Sequence, residues 1–183
     1  IAGRAVGQTL SVVYDGTFAD NTFDGKLAVA GEAFKVAAAG KLDLANNQAD
    51  ALKVRALVLR PDRLIAAPEL ANVALSATLD GKFSDLAIDH TVTVGRLKLG
   101  TLDAQGLRSS GTASWDGTRF VLPLAVTAQR VTTGNAMIDP RFPGGRLTGD
   151  LVFAGNRLTS DNLVLALKGL GAQLALSGDM ARG

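Results

Sequence analysis

Apolar and polar residues alternate one by one over short stretches, and this pattern restarts about a dozen times along the chain. From Val73 to Leu79 every second residue is the larger apolar one, and after Asp80-Gly81 the pattern resumes at Leu86 and Ile88. Because successive side chains of a strand point to opposite sides, this alternation predicts β-strands with one apolar face. Repeated so often, without a convincing helical pattern between, it predicts a large antiparallel sheet whose apolar face must be covered by something.

Glycine-containing dipeptides divide the chain into strand-sized segments that recur roughly every 8–14 residues, as in all-β folds. The Asp-Gly pairs at 15–16, 24–25, 80–81 and 116–117 have the residue types that favour tight hairpin turns. Other glycines interrupt the strand patterns and predict β-bulges or bends, and hence a strongly curved sheet. These are Gly31, Gly40, Gly95, Gly111 and Gly149.

The fold class predicted from these patterns is all-β, with a single β-rich segment over residues 1–183 that belongs to a longer protein, since the chain starts at Ile1 rather than Met. Residues 60–71 contain Pro61 and Pro68 and predict an irregular connection or a single helical turn, which is where we place a sub-boundary. Residues 132–145 predict a second loop. A β-sandwich and a β-solenoid are the alternative architectures.

The composition excludes several classes of function. The net charge is only +2, and lysine and arginine never form a run longer than two residues, so no nucleic-acid partner is expected. The absence of cysteine excludes thiol chemistry, disulfides and cysteine-based zinc sites. No stretch approaches the roughly 20 apolar residues of a membrane-spanning helix.

No catalytic or metal-binding pattern stands out, so we expect a protein that is not an enzyme and needs no cofactor. His90 is the single histidine, and it lies in register with Ile88 and Val92, where a polar contact at the rim of a sheet explains it better than a general base. The segment from Asp20 to Gly25 begins like a calcium loop but lacks the glutamate that such a loop needs at its twelfth position, so no metal site is expected.

Several segments resemble strands of the AsmA-like superfamily of bacterial envelope proteins, which includes TamB-like and YdbH-like branches. The resemblance is carried by the strand and turn texture of residues 73–88, 147–163 and 174–178. Residues 126–134 and the Gly-Gly-Arg-Leu segment at 144–147 favour the YdbH-like branch.

This resemblance implies a long sheet that curls into an open, taco-like apolar trough and carries phospholipids across the periplasm between the inner and outer membranes. It also implies a periplasmic or cell-envelope location, within a parent protein anchored in the inner membrane. Members of the TamB type associate in addition with an outer-membrane barrel partner.

Side-chain chemistry favours the same hypothesis, because 47% of the residues are hydrophobic but only 5% are aromatic. Leucine, valine and alanine would line a trough with a smooth hydrocarbon surface, whereas a sandwich core normally uses more aromatic filling. The predicted lipid-lining residues are Leu27, Val29, Phe34, Val36, Leu42, Leu44, Leu52, Val54, Val73, Leu75, Leu79, Leu86, Ile88, Val92, Val94, Leu122, Leu124, Val126, Leu151, Phe153, Leu163, Leu165, Leu174 and Leu176.

Two other functions remain open at this point. The first is a structural or adhesive β-solenoid or sandwich that packs against itself and binds no ligand. The second is an enzyme on a β-helix that uses scattered aspartates such as Asp89 and Asp103.

Overall fold

A single antiparallel sheet of 12 strands makes up the protein, as seen in a computed structural model that describes residues 9–63, 68–137, 139 and 144–179. Strand follows strand in chain order across the sheet, except that the short β9 pairs with β7 and β10 lies next to β8. The strands are β1 (Ser11–Ala19), β2 (Thr22–Ala30), β3 (Phe34–Asp43), β4 (Gln48–Val58), β5 (Glu69–Lys82), β6 (Asp85–Leu99), β7 (Leu102–Trp115), β8 (Arg119–Ala128), β9 (Arg130–Thr132), β10 (Gly145–Ala154), β11 (Arg157–Leu167) and β12 (Leu170–Asp179). The all-β prediction is confirmed.

The sheet is not closed into a barrel, because β1 and β12 each have a neighbour on one side only among the described strands. A 3-10 turn at Pro61–Arg63 follows β4, which confirms the helical turn predicted after residue 60. Strands β4 and β5, on either side of this connection, pair from Val58↔Val73 to Gln48↔Lys82. The sub-boundary at residues 60–71 stays a prediction, and residues 64–67 lie outside the described residues.

Two of the four predicted Asp-Gly turns are wrong, because Asp15-Gly16 and Asp24-Gly25 lie inside β1 and β2. Gly16 and Gly25 face each other across these strands, and a Cβ atom on Gly16 would lie 2.4 Å from the Asp24 carbonyl oxygen. The glycines therefore permit a close backbone approach. The chain turns instead at Asp20 and Asn21, both of which have positive φ, as a two-residue hairpin turn requires.

Of the other two Asp-Gly predictions, the turn at Asp116-Gly117 is confirmed and the turn at Asp80-Gly81 is displaced. Asp116-Gly117 forms the turn between β7 and β8, where the Asp116 carboxylate accepts hydrogen bonds from the backbone N–H groups of Thr118 and Arg119 at 2.9 and 2.8 Å. These bonds hold the pKa of Asp116 below its usual value. The Asp80-Gly81 prediction is a few residues early, because β5 continues to Lys82 before the chain reverses.

Predicted β-bulges occur at Gly40 and Gly149. The register between β3 and β4 shifts between Ala39 and Lys41, and the register between β10 and β11 shifts between Thr148 and Val152. Both glycines have φ near +140°, at 138° and 137°, a conformation that side chains rarely adopt. Bulges of this kind bend a strand and increase its twist.

Candidate functional site

The cross-strand register divides the sheet into two chemically distinct faces. Directly opposed residues of an antiparallel pair lie on the same face. One such row crosses seven strands and contains Val12, Val29, Val36, Ala56, Leu75, Val92 and Ser109. We call the face that carries this row the apolar face. The opposite side, which carries Lys53, Arg55 and Ser76, is the polar face.

The apolar face extends beyond β7 through the pairs Trp115↔Phe120 and Phe120↔Phe153, whose phenylalanine rings have centroids 5.9 Å apart. Following this register, all the predicted lining residues except Leu44 lie on the apolar face. Leu44 comes after the end of β3, and 46% of its surface is exposed. Whether any of these residues contacts lipid stays a prediction.

The apolar face lacks a covering layer in the part of the chain that the structure describes. Elements in substantial contact there are sheet neighbours, apart from the 3-10 turn against β5. No large side chain among the described residues is fully buried, and most apolar side chains in the middle of the sheet are half-buried by one another. Toward the edges the exposure rises, to 60% at Phe18 in β1 and 46% at Leu174 in β12.

His90 lies on the apolar face near the middle of the sheet, rather than at a rim. It stands opposite Ala77 on one side and Gly111 on the other, so the imidazole has small neighbours in both directions. Its Nδ1 atom is buried without a hydrogen-bond partner, as is the Oγ atom of Ser109, which faces the neighbouring residue Val92. His90 and Ser109 lie in two adjacent cross-strand rows, and together they place polar atoms on the apolar face.

Two depressions adjoin one another on the polar face, where long cationic side chains stand beside small residues. One has an alanine floor and includes Lys26, Lys53 and Arg55. Its neighbour shares Lys53 and Arg55, and it is lined otherwise mainly by the hydroxyl-bearing residues Ser76, Thr78, Thr91 and Thr112, with Asp89.

Sequence reasoning did not predict a cationic site here, because Lys26, Lys53 and Arg55 are spread over 30 residues and form no charged run. Each of these three cations alternates with apolar residues along its strand, and this alternation could have predicted that they lie on the polar face. Their proximity depends on the pairing of β2, β3 and β4.

The two aspartates considered as catalytic candidates, Asp89 and Asp103, have structural partners. Asp103 forms an ion pair with Arg96 on β6, and this contact lowers the pKa of Asp103. Asp89 accepts a hydrogen bond from the Thr112 hydroxyl. Within the described residues, no group of three or more His, Cys, Asp or Glu side chains is arranged to hold a metal ion.

Comparison of the chain with protein-family models, with curated proteins and with solved structures found no match in any of the three. No helix among the described residues is long and apolar enough to cross a membrane. The resemblance to the AsmA-like superfamily therefore stays a prediction from strand and turn texture.

Proposed function

We propose that this chain is a segment of an AsmA-like envelope protein that conducts phospholipids between the inner and outer membranes along the apolar face. The observation that carries the proposal is the continuous apolar face, which crosses the sheet without a second layer in the described residues. A soluble protein rarely leaves so large an apolar surface open, because such surfaces bind a partner or aggregate.

Acyl chains would cover this surface favourably. Each buried methylene group contributes about 0.8 kcal/mol, so burial of several methylene groups of one acyl chain adds up to a substantial affinity. Leucine, valine and alanine side chains present similar contacts at successive positions. In our proposal this uniformity lets a chain move along the face without a deep energetic trap.

In the proposal the sheet curls around the apolar face to form an open trough. Strands twist relative to their neighbours, and sheets of more than about ten strands usually curl or split. The bulges at Gly40 and Gly149 add local bending. The trough would lie in the periplasm, within a parent protein anchored in the inner membrane, with an outer-membrane barrel as a partner at the far end.

Site-specific photo-crosslinking tests lipid contact. A photoreactive amino acid is placed at Leu75 or Leu124 on the apolar face, and at the adjacent positions Ser76 or Ala125 on the polar face as matched controls. The protein is then irradiated in cells, purified and extracted for lipid mass spectrometry. We expect phospholipid adducts at Leu75 and Leu124 and at neither control.

Absence of adducts at both apolar positions, together with absence of co-purifying phospholipid, would refute lipid conduction. A self-packed structural or adhesive sheet would then be favoured. Equal labelling of both faces would also contradict the proposal, because it would indicate detergent-like adsorption.

The proposal includes no catalytic step. We expect Asp89→Asn and Asp103→Asn to leave the cellular function of the parent protein unchanged, because both carboxylates already have structural partners. A specific loss of function with an intact fold would instead favour an enzyme that uses scattered aspartates.

A further inference from the structure

A regular grid of side chains on the polar face combines an apolar floor with a cationic rim. The cross-strand pairs Lys26↔Ala39 and Ala39↔Lys53 form one row over β2, β3 and β4. The next row along the strands contains Ala28, Ala37 and Arg55. The methyl groups of Ala37 and Ala39 on β3 therefore lie between Lys26 on one side and the pair Lys53 and Arg55 on the other, and Ala28 extends the alanine floor along β2. These residues line one depression together with Val13 and Asp15 of β1.

The dimensions of this depression follow from the spacing of strands. Lys26 and Lys53 stand two strands apart, so their Cβ atoms are separated by about 9.5 Å. Alanine is the smallest residue with a side chain, and both flanking lysines reach well above it. The space between them is wide enough for one hydrocarbon chain or one aromatic ring.

The charges around the depression are incompletely balanced. Asp15 stands opposite Lys26 across β1 and β2. Lys53 and Arg55 stand opposite Thr78 and Ser76 on β5, so no carboxylate faces them directly, and Asp89 lies one strand further along the row of Lys53. Among the described residues, the ion pairs within 4 Å join other side chains, at Arg60–Asp62, Arg63–Glu32 and Arg96–Asp103.

We propose that this depression binds an amphiphilic organic anion, a phosphate or carboxylate that carries a single short apolar group. The anionic group would lie between Lys53 and Arg55, where the guanidinium can donate two parallel hydrogen bonds. The apolar group would lie on the alanine floor. This site is separate from the apolar face and does not depend on the proposed lipid conduction.

Binding can be measured on the intact chain with octyl phosphate, used below its micelle concentration. Protein with 13C-labelled alanine, valine and leucine methyl groups reports the two faces separately, because Ala37 and Ala39 lie on the polar face and Val36 and Val54 on the apolar one. We expect saturable shifts of the Ala28, Ala37 and Ala39 methyl signals. Inorganic phosphate and octyl glucoside, which each lack one half of the ligand, should bind more weakly.

Removal of the two cations on β4 provides the main test. We expect Lys53→Gln/Arg55→Gln to lower the affinity about tenfold, because each exposed ion pair with the ligand contributes modestly. The matched control Arg108→Gln/Arg146→Gln removes the same charge from the same face, several strands away, and should leave the affinity nearly unchanged. Ala39→Glu would place a carboxylate between Lys26 and Lys53, and it should abolish binding by occupying the cations.

Equal loss of affinity in both double variants, equal binding of inorganic phosphate, or binding only to phosphatidylglycerol vesicles would overturn the site. Shifts confined to Val36, Val54 and other apolar-face methyl groups would also overturn it, although they would support the proposed lipid contact. Absence of lipid crosslinks at Leu75 and Leu124 and of co-purifying phospholipid, with the alanine shifts present, would refute lipid conduction and leave the anion site supported.

Discussion

Strand β7 has two very different sides. Toward β6 it pairs almost without interruption, from Leu86↔Trp115 to Leu99↔Leu102. Toward β8, regular pairing is found at Arg108↔Thr127, Ser114↔Val121 and Trp115↔Phe120 only. The same strand therefore belongs to a continuous ladder on one side and to an interrupted seam on the other.

Pro123 lies within this interruption and contributes to it. Its carbonyl oxygen points toward β7, since it lies 3.5 Å from the position that a Cβ atom on Gly111 would occupy. The nitrogen and carbonyl oxygen of a strand residue point the same way, so the N–H that proline lacks is missing on the β7 side. On its other side β8 pairs with β10 along both strands, from Ala128↔Gly145 to Arg119↔Ala154.

This difference shows that a continuous sheet need not be uniformly stable. Strands β1 to β7 share uninterrupted or briefly shifted ladders, and β8 and β10 to β12 form a second such group. The short β9 belongs to the first group, because it pairs with β7 from Asp103↔Thr132 to Gln105↔Arg130. We infer that local opening is easiest between the two groups, at the seam between β7 and β8. The following predictions test or sharpen this comparison, beginning with the largest effect.

Loss of a buried side chain on the strong side should have the largest effect. Leu86 in β6 is only 8% exposed and faces Trp115 across the continuous ladder. We expect Leu86→Ala to lower the free energy of unfolding by about 2–3 kcal/mol, measured by urea denaturation. Leu122→Ala in β8, where the side chain is half-buried beyond the seam, should cost less. An equal or larger effect at Leu122 would contradict the comparison.

A side chain added at Gly149, in the bulge between β10 and β11, should lower the stability of the fold. A Cβ atom on Gly149 would lie 2.7 Å from the Asn162 carbonyl oxygen, and φ is +137° there. We expect Gly149→Ala to cost about 2 kcal/mol, from strain and steric overlap. Gly178→Ala in β12, where a Cβ atom would meet nothing within 4 Å, is the control and should be nearly neutral.

Restoring the missing donor should strengthen the seam. We expect Pro123→Thr to permit a further hydrogen bond between β8 and β7 and to raise stability by about 1 kcal/mol. Hydrogen exchange measures the effect directly: amides of β7 that face β8 should exchange faster than those facing β6 in the native protein, and this gap should narrow in the variant. Equal protection on both sides of β7 in the native protein would show that no weak seam exists.

The turn that connects the two sides of the seam should give the smallest effect. Because its hydrogen bonds lower the pKa of Asp116, this carboxylate stabilises the fold at pH values above its unfolded pKa of about 4, and the contribution is lost as the pH falls through the lower folded pKa. Melting curves should show a slightly lower Tm for Asp116→Asn at pH 7. They should also show a shallower decline of Tm below pH 4 than in the native protein. Parallel pH profiles would refute a role for ionised Asp116.

Much of the strand content could be predicted, because alternation has a fixed period of two that needs no knowledge of distant residues. The turn predictions at Asp15-Gly16 and Asp24-Gly25 failed for a related reason. Glycine suits both a tight turn and a close approach of two strands, and the choice depends on which residue lies opposite. The candidate cationic site was not predicted, because Lys26 and Lys53 share a row only through the pairing of β2 and β4 with β3.

The amino-acid sequence by itself determined the strands and the chemical difference between their two sides, since the geometry of an extended chain assigns neighbouring side chains to opposite faces. Tertiary pairing decided the rest. It aligned the apolar sides of the strands into one face, brought Lys26, Ala39 and Lys53 into one row, and placed Pro123 against β7. These features depend on cross-strand register, which joins residues that are distant in the chain and that no local pattern can identify.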